Sequence, residues 1–246
     1  MKFIFLGIIQ GLTEFLPVSS SGHLYIFKKY LNLTQDLLPF FVFLHLATFL
    51  AIFVFLRKEI FLLLLQRKVA INILIISIIT AGFGLLIDHF FQSFFENKYL
   101  VPFLLLINGG ILLSVRNTSQ KREAANIGLK DSLILGVSQG LAVFPGISRS
   151  GITIVVLLKR GFKSKEAFSL SFLMAMPVIL GVFLLKLKGI LNSHIPVPDM
   201  FLGFCAAFVF GLLALALIKR ALISEKFSKF GYYCILVSFL GLFFCR

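Results

Sequence analysis

"QGLTEFLPVSSSG", Gln10 to Gly22, begins as an apolar helix pattern and breaks into proline and three serines. "QGLAVFPGISRSG", Gln139 to Gly151, does the same 129 residues later. Laid over each other without a gap, the two share Gln, Gly, Leu, Phe, Ser, Ser and Gly, seven of thirteen positions. The apolar stretches that lead into them, 3–16 and 132–144, are too short to cross a hydrocarbon core comfortably, which takes about 20 helical residues. Such broken stretches are expected to be re-entrant, dipping into the bilayer and returning to the side they came from.

The rest of the chain supplies the bilayer context. Of 246 residues 59% are hydrophobic and only 14% charged, with a mean hydropathy of +1.02, which excludes a soluble globular domain. The net charge of +14 therefore takes a membrane explanation, and no nucleic-acid partner is expected. Cys205, Cys234 and Cys245 lie in or beside apolar segments without C-x-x-C spacing, and read as small core residues. The first 16 residues resemble a signal peptide, but Gln10 and Glu14 interrupt their apolar run and the pattern recurs deep in the chain, so the segment is expected to be retained.

Full-length apolar spans are expected at about 38–56, 69–87, 99–115, 166–185, 200–218 and 230–245. They recur with the broken segments at offsets of about 128 to 131, so the chain reads as one membrane domain, 1–246, with internal repeats at about 1–116 and 129–246. A half with one re-entrant pair and three crossings has an odd number of crossings, so the second half must sit upside down relative to the first. The expected fold is thus an all-α polytopic membrane protein with six transmembrane helices plus two re-entrant helix pairs in an inverted-topology repeat. On this scheme sixteen Lys and Arg lie on one side and seven on the other, with Arg149 left in the broken segment. The richer side is cytoplasmic by the positive-inside rule, and both termini lie outside.

Glu14 alone of the ten acidic residues sits inside an apolar stretch, which makes it a functional-site candidate. Gln10, four residues earlier, shares its helical face; the two could also be only a structural polar pair. Arg149 presents a permanently charged guanidinium suited to phosphate or carboxylate. Ser148 and Ser150 flank it, Gly146 and Gly151 allow tight turns, and Thr153 follows, the ingredients of an anion cradle at a helix start. The plain alternative is an interhelical salt bridge between Arg149 and Glu14. "GISRS" is not a hydrolase nucleophile elbow, because Ser150 stands where G-x-S-x-G needs its second glycine. Across the repeat Arg149 aligns with Ser20, Glu14 with Val143 and His23 with Ile152. One half would supply a hydroxyl, an imidazole and a carboxylate, the other the anion clamp. His23 follows Ser20 by three residues and is within hydrogen-bond reach if a helical turn starts there. His45, His89 and His194 are left as structural.

"QGLTEFLPVSSSGH" fits (E/Q)-x-x-x-E followed by a Ser-rich and His segment, and "PGISRSGIT", Pro145 to Thr153, fits P-G-x-S-R-S-x-x-T. In both motifs, and over essentially its whole length, the chain resembles the undecaprenyl-pyrophosphate phosphatases, the bacitracin-resistance family. The resemblance implies hydrolysis of the lipid pyrophosphate to undecaprenyl phosphate and inorganic phosphate, which recycles the cell-wall lipid carrier. It implies a multi-pass enzyme of the bacterial plasma membrane with its active site facing the outer side. It also implies Ser20 as nucleophile, with His23 and Glu14 as its base and orienting partner; His23 as the nucleophile is the variant. Arg149 becomes the main pyrophosphate ligand, helped by Ser148, Ser150 and Thr153, with Ser19 and Ser21 lining the pocket. A divalent cation, Mg2+ or Ca2+, is implied at the acidic motif, which opens here with Gln10 where many members have Glu. With Glu14 as the one strong anionic ligand, the metal is expected to bind mostly through substrate. The partners are undecaprenyl pyrophosphate and the bilayer, and a homodimer is compatible. The rival reading is a transporter or flippase of a lipid phosphate, which needs the clamp but no activated nucleophile.

Overall fold

The computed structural model describes residues 1–31, 37–90, 99–115 and 121–244, without the side chains of residues 29, 88–90 and 244. Asp36, Glu96, Lys98, Arg116, Cys245 and Arg246, and the side chains of Lys29, Asp88 and His89, therefore lie outside the described residues.

Eleven α-helices make up the described chain: α1 (Lys2–Phe15), α2 (Ser20–Tyr30), α3 (Leu38–Phe55), α4 (Arg57–Leu64), α5 (Arg67–Phe90), α6 (Leu100–Leu113), α7 (Leu129–Leu141), α8 (Arg149–Lys159), α9 (Ser164–Leu191), α10 (Val197–Ile223) and α11 (Phe230–Phe244). Four of them, α3, α5, α9 and α10, are long and apolar enough to cross a membrane. α6 and α11 are apolar but shorter, 14 and 15 residues. Large apolar side chains such as Leu74, Ile78, Leu217, Tyr232 and Phe239 stand exposed on the outside of the bundle. So much exposed apolar surface fits a multi-pass membrane protein whose solvent is lipid. α4 was not anticipated. Its Ile60 and Leu63 are buried while Arg57 and Lys58 stay exposed, a short amphipathic helix in what composition alone reads as a connection.

The broken stretches are helices of 14 and 13 residues, about 20 Å long at 1.5 Å per residue. α1 ends where Leu16 turns extended ahead of Pro17, which disfavours the helical conformation in the residue before it. Each packs against a long helix outside its own break, α1 on α10 and α7 on α5. The same device permits both approaches. A Cβ on Gly7 or Gly11 would come within 2.2 Å of Gly203 O or 2.5 Å of Ala207 O, and one on Gly136 or Gly140 within 2.7 Å of Ile79 or 2.6 Å of Phe83. These glycines, four apart in each helix, let backbones close up where lipid supplies no hydrophobic drive. Gly11→Leu should therefore wedge α1 off α10, a cost of about 1–3 kcal/mol. It should show as a lower melting temperature in detergent, and an unchanged melt would mean that the contact is slack.

At one end of the bundle the start of α7 is bolted to the end of α8. Asp131 takes Arg122 Nη2 at 2.6 Å, Arg160 Nε at 2.7 Å and the Gly128 N–H at 3.1 Å. Arg122 also lies 4.2 Å over the Phe162 ring. Burial pushes the Asp131 carboxyl up, but the hydrogen bonds from Arg122, Arg160 and Gly128 outweigh it and hold it below the usual aspartate range. A depressed folded-state value stabilises the fold at every pH above the unfolded value of about 3.9, and the gain is lost as pH falls through the folded value. Asp131→Asn should melt well below wild type at pH 7, and the gap should narrow as pH drops below about 4. A gap independent of pH would refute the linkage.

Candidate active site

Both helix breaks end in helix starts, and the two meet. In the first, Ser19 adopts φ +67° and its Oγ accepts the Gly22 N–H at 3.3 Å, capping α2. In the second, Gly146 adopts φ +114°, and Ser148 Oγ accepts the Gly151 N–H at 3.1 Å, capping α8. Gly146 is required twice over, since a Cβ there would also lie 2.7 Å from Leu104 Cβ. Ser19 Oγ further accepts the Gly146 N–H at 3.0 Å, which ties one tip to the other. Asn108 of α6, fully buried, holds both: its Nδ2 donates to Pro17 O at 3.0 Å and its Oδ1 accepts the Ser148 N–H at 3.0 Å.

Glu14, from the last turn of α1, is the hub. Its Oε1 pairs with Arg149 Nη2 at 2.7 Å. Its Oε2 accepts Ser20 Oγ–H at 2.7 Å and Gln10 Nε2–H at 3.1 Å, with His45 Nε2 at 3.5 Å. A cavity of about 330 Å3 opens over this cluster, lined among others by Glu14, Ser19, Ser20, Ser21, His45, Thr80, Gln139, Ser148 and Arg149. The first turns of α2 and α8 begin at its wall, so two helix N-termini add positive potential to Arg149. A carboxylate bonded to a hydroxyl, beside a guanidinium in a cavity of this size, can take the hydroxyl proton while the cation meets an anionic substrate.

Several expectations need correction. The plain alternative is formed: Arg149 pairs with Glu14, so the guanidinium has an anionic partner within the chain. The expected Ser20–His23 hydrogen bond is not formed. His23 Nδ1 lies 2.9 Å from Ser19 O, a carbonyl that can only accept, so Nδ1 carries the proton and Nε2 accepts the Tyr233 hydroxyl at 2.9 Å. Both ring nitrogens are engaged away from the cavity. Thr153 is fully buried, donates to Arg149 O at 2.7 Å and meets Ser171 Oγ at 2.7 Å. Ser150 turns to Ser148 Oγ at 3.2 Å and Leu16 O at 3.4 Å. Thr153, Ser150, Gly146, Gly151 and Gln10 thus support the wall from behind and do not line the cavity.

Two residues were missed. His45 lines the cavity, its Nδ1 fixed on Phe41 O at 2.7 Å and its Nε2 turned to Glu14. The rule that flagged Glu14, an ionisable group within an apolar span, applies equally to it. Asn108, a buried amide in span 99–115, carried the same kind of signal.

Among the described residues the buried side-chain N and O atoms without a partner are Gln10 Oε1, Gln139 Oε1 and Arg149 Nη1, all at this site. No group of three His, Cys, Asp or Glu among them could hold a metal ion. Of the two residues of the acidic motif, Glu14 alone lines the cavity; its carboxylate is a hard oxygen donor that fits Mg2+ or Ca2+, but only if substrate oxygens complete the shell, and Gln10 stands behind it.

The family model described as "Bacitracin resistance protein BacA" matches residues 3–240. The chain is 43% identical to an undecaprenyl-diphosphatase of Methanococcus maripaludis strain C7, over 99% of this chain and 100% of that protein. It is 41% identical to one from Thermosipho africanus, over 99% of both chains, and 38% to one from Thermotoga petrophila, over 97% and 98%.

Proposed function

From the chain's place in the bacitracin resistance protein BacA family, to which it belongs along nearly its whole length, we infer that it is an undecaprenyl-diphosphatase. It hydrolyses the membrane-held pyrophosphate to undecaprenyl phosphate and inorganic phosphate, recycling the cell-wall lipid carrier and so conferring bacitracin resistance. The geometry that carries the mechanism is Ser20 Oγ hydrogen-bonded to Glu14, which in turn holds Arg149. A lipid-phosphate carrier would use Arg149 but has no need of the Ser20–Glu14 bond.

In the proposed mechanism the terminal phosphate enters the cavity and meets the Arg149 guanidinium, whose buried Nη1 is without a partner while Nη2 holds Glu14. Glu14 takes the Ser20 proton as Oγ attacks the terminal phosphorus in line, and the bond to the bridging oxygen breaks, releasing undecaprenyl phosphate. Glu14 gives that proton up to the departing phosphate, then takes one from the water that attacks the phosphoserine and returns it to Ser20 Oγ as the P–O bond breaks, freeing inorganic phosphate and restoring Ser20. Arg149 and the N-termini of α2 and α8 stabilise charge on the equatorial oxygens. His23, held by Ser19 O and Tyr233, keeps the first tip in register. A divalent cation arriving with the pyrophosphate would be held on the protein side by Glu14, which Gln10 Nε2 steadies from behind, and would supply further positive charge to the phosphoryl oxygens.

For topology we propose six crossings, α3, α5, α6, α9, α10 and α11, with α1–α2 and α7–α8 as re-entrant pairs of two inverted halves, 1–116 and 129–246. Packing that is preserved when the halves are exchanged supports this: α1 on α10 answers α7 on α5, and α3 on α10 answers α9 on α5. The site then faces the outside of the plasma membrane, with both termini outside, and a homodimer is compatible. In intact cells an impermeant thiol reagent should label His194→Cys and spare Ala125→Cys; the reverse would overturn the orientation. Phosphate release from undecaprenyl pyrophosphate by purified protein in detergent tests the activity, and intact lipid transport without any release would favour the carrier.

A further inference from the structure

A second cavity, about 470 Å3, flanks α1 and shares no lining residue with the catalytic one. It lies between the C-terminal half of α1 and the α10–α11 connection, with a mostly apolar wall that includes Leu12, Leu16 and Phe230. Lys226 and Lys229 also line it; both are exposed, and neither has a carboxylate partner among the described residues. Tyr233 lines it too, and its hydroxyl is the one bound to His23 Nε2 at 2.9 Å.

We propose that this cavity is a binding site for an anionic phospholipid, whose headgroup phosphate pairs with Lys226 and Lys229 while the first part of an acyl chain covers Leu12, Leu16 and Phe230. The pairing of surfaces selects this occupant. A zwitterionic lipid brings its own ammonium beside the phosphate, which offsets the attraction to two lysines, and a small soluble anion would leave the apolar wall wet. The lysines belong to the basic end of the bundle, where Lys219 also lies over Phe55 and Phe168. That is the end that faces an anionic leaflet surface when basic loops lie inside. An occupant resting on Tyr233 also backs the hydrogen bond to His23, and through Ser19 O it steadies the first tip of the catalytic site.

The test is lipid retention measured by native mass spectrometry, with protein in neutral detergent offered equal phosphatidylglycerol and phosphatidylcholine of the same chain length. Two lysines near a phosphate predict roughly a ten-fold or greater preference for phosphatidylglycerol in the wild type. The preference should disappear in Lys226→Gln/Lys229→Gln and persist in Lys58→Gln/Lys68→Gln, a control pair of exposed lysines outside the cavity. Melting curves matching wild type certify that each variant is folded. Equal retention of the two lipids by wild type overturns the site, as does a preference that survives in the first variant. Equal loss in both variants overturns it too, since that is diffuse charge attraction. None of these readouts depends on hydrolysis, so a failure here is distinct from a failure of the phosphatase reading.

Discussion

Glu14→Gln is expected to release phosphate about 10²–10⁴-fold more slowly than wild type, the range for loss of a positioned general base. The same variant should bind inorganic pyrophosphate more tightly when divalent cations are chelated. The two effects have one origin. In the wild type, Arg149 Nη2 lies 2.7 Å from Glu14 Oε1, so an incoming anion that takes another guanidinium nitrogen still has the Glu14 charge beside it as a competitor that repels it. A neutral amide at position 14 removes both the competitor and the base. It also leaves a largely buried guanidinium without its counter-charge, which destabilises a fold by about 3–5 kcal/mol until an anion arrives. The ligand-free variant should therefore melt lower than wild type, and pyrophosphate should raise its melting temperature by more. Weaker pyrophosphate binding together with full turnover would remove Glu14 from the centre of the site.

Arg149→Ala should reduce turnover by about 10³-fold or more, since an arginine that meets phosphoryl charge in the transition state contributes on that scale. Arg149→Lys should recover only part of this, because an ammonium cannot keep Glu14 and a phosphate oxygen on separate nitrogens of one plane as a guanidinium can. Arg149→Ala leaves Glu14 with Ser20 and Gln10, so its loss should fall on both kcat and KM. Ser20→Ala keeps the clamp and should lose kcat with little change in KM. If Ser20→Ala turned over normally, the serine mechanism would be wrong even with Arg149 essential.

The all-helical, polytopic character and the two helix breaks were legible, because each follows from local pattern. Hydropathy sets helix length, and proline and glycine set where helices stop. The glycines at 7, 11, 136 and 140 were equally visible as spacing, although only the α1–α10 and α7–α5 contacts gave them a role. α4 escaped because eight amphipathic residues between two apolar spans look like a connection.

Within the site the division is sharper. Composition and spacing alone determined that one carboxylate and one arginine lie within apolar surroundings, each beside serines at a helix break. Which groups touch was decided by tertiary structure. Glu14 and Arg149 are 135 residues apart, and their contact depends on how two helix tips dock, fixed by Asn108 and by the Ser19–Gly146 bond. His23 was near Ser20 in sequence but turned to Ser19 O and α11, while His45, far away in sequence, reached Glu14. Helical periodicity tells which residues share a face. It cannot tell which partner that face meets, because side-chain pairing follows from packing between helices that no local pattern records.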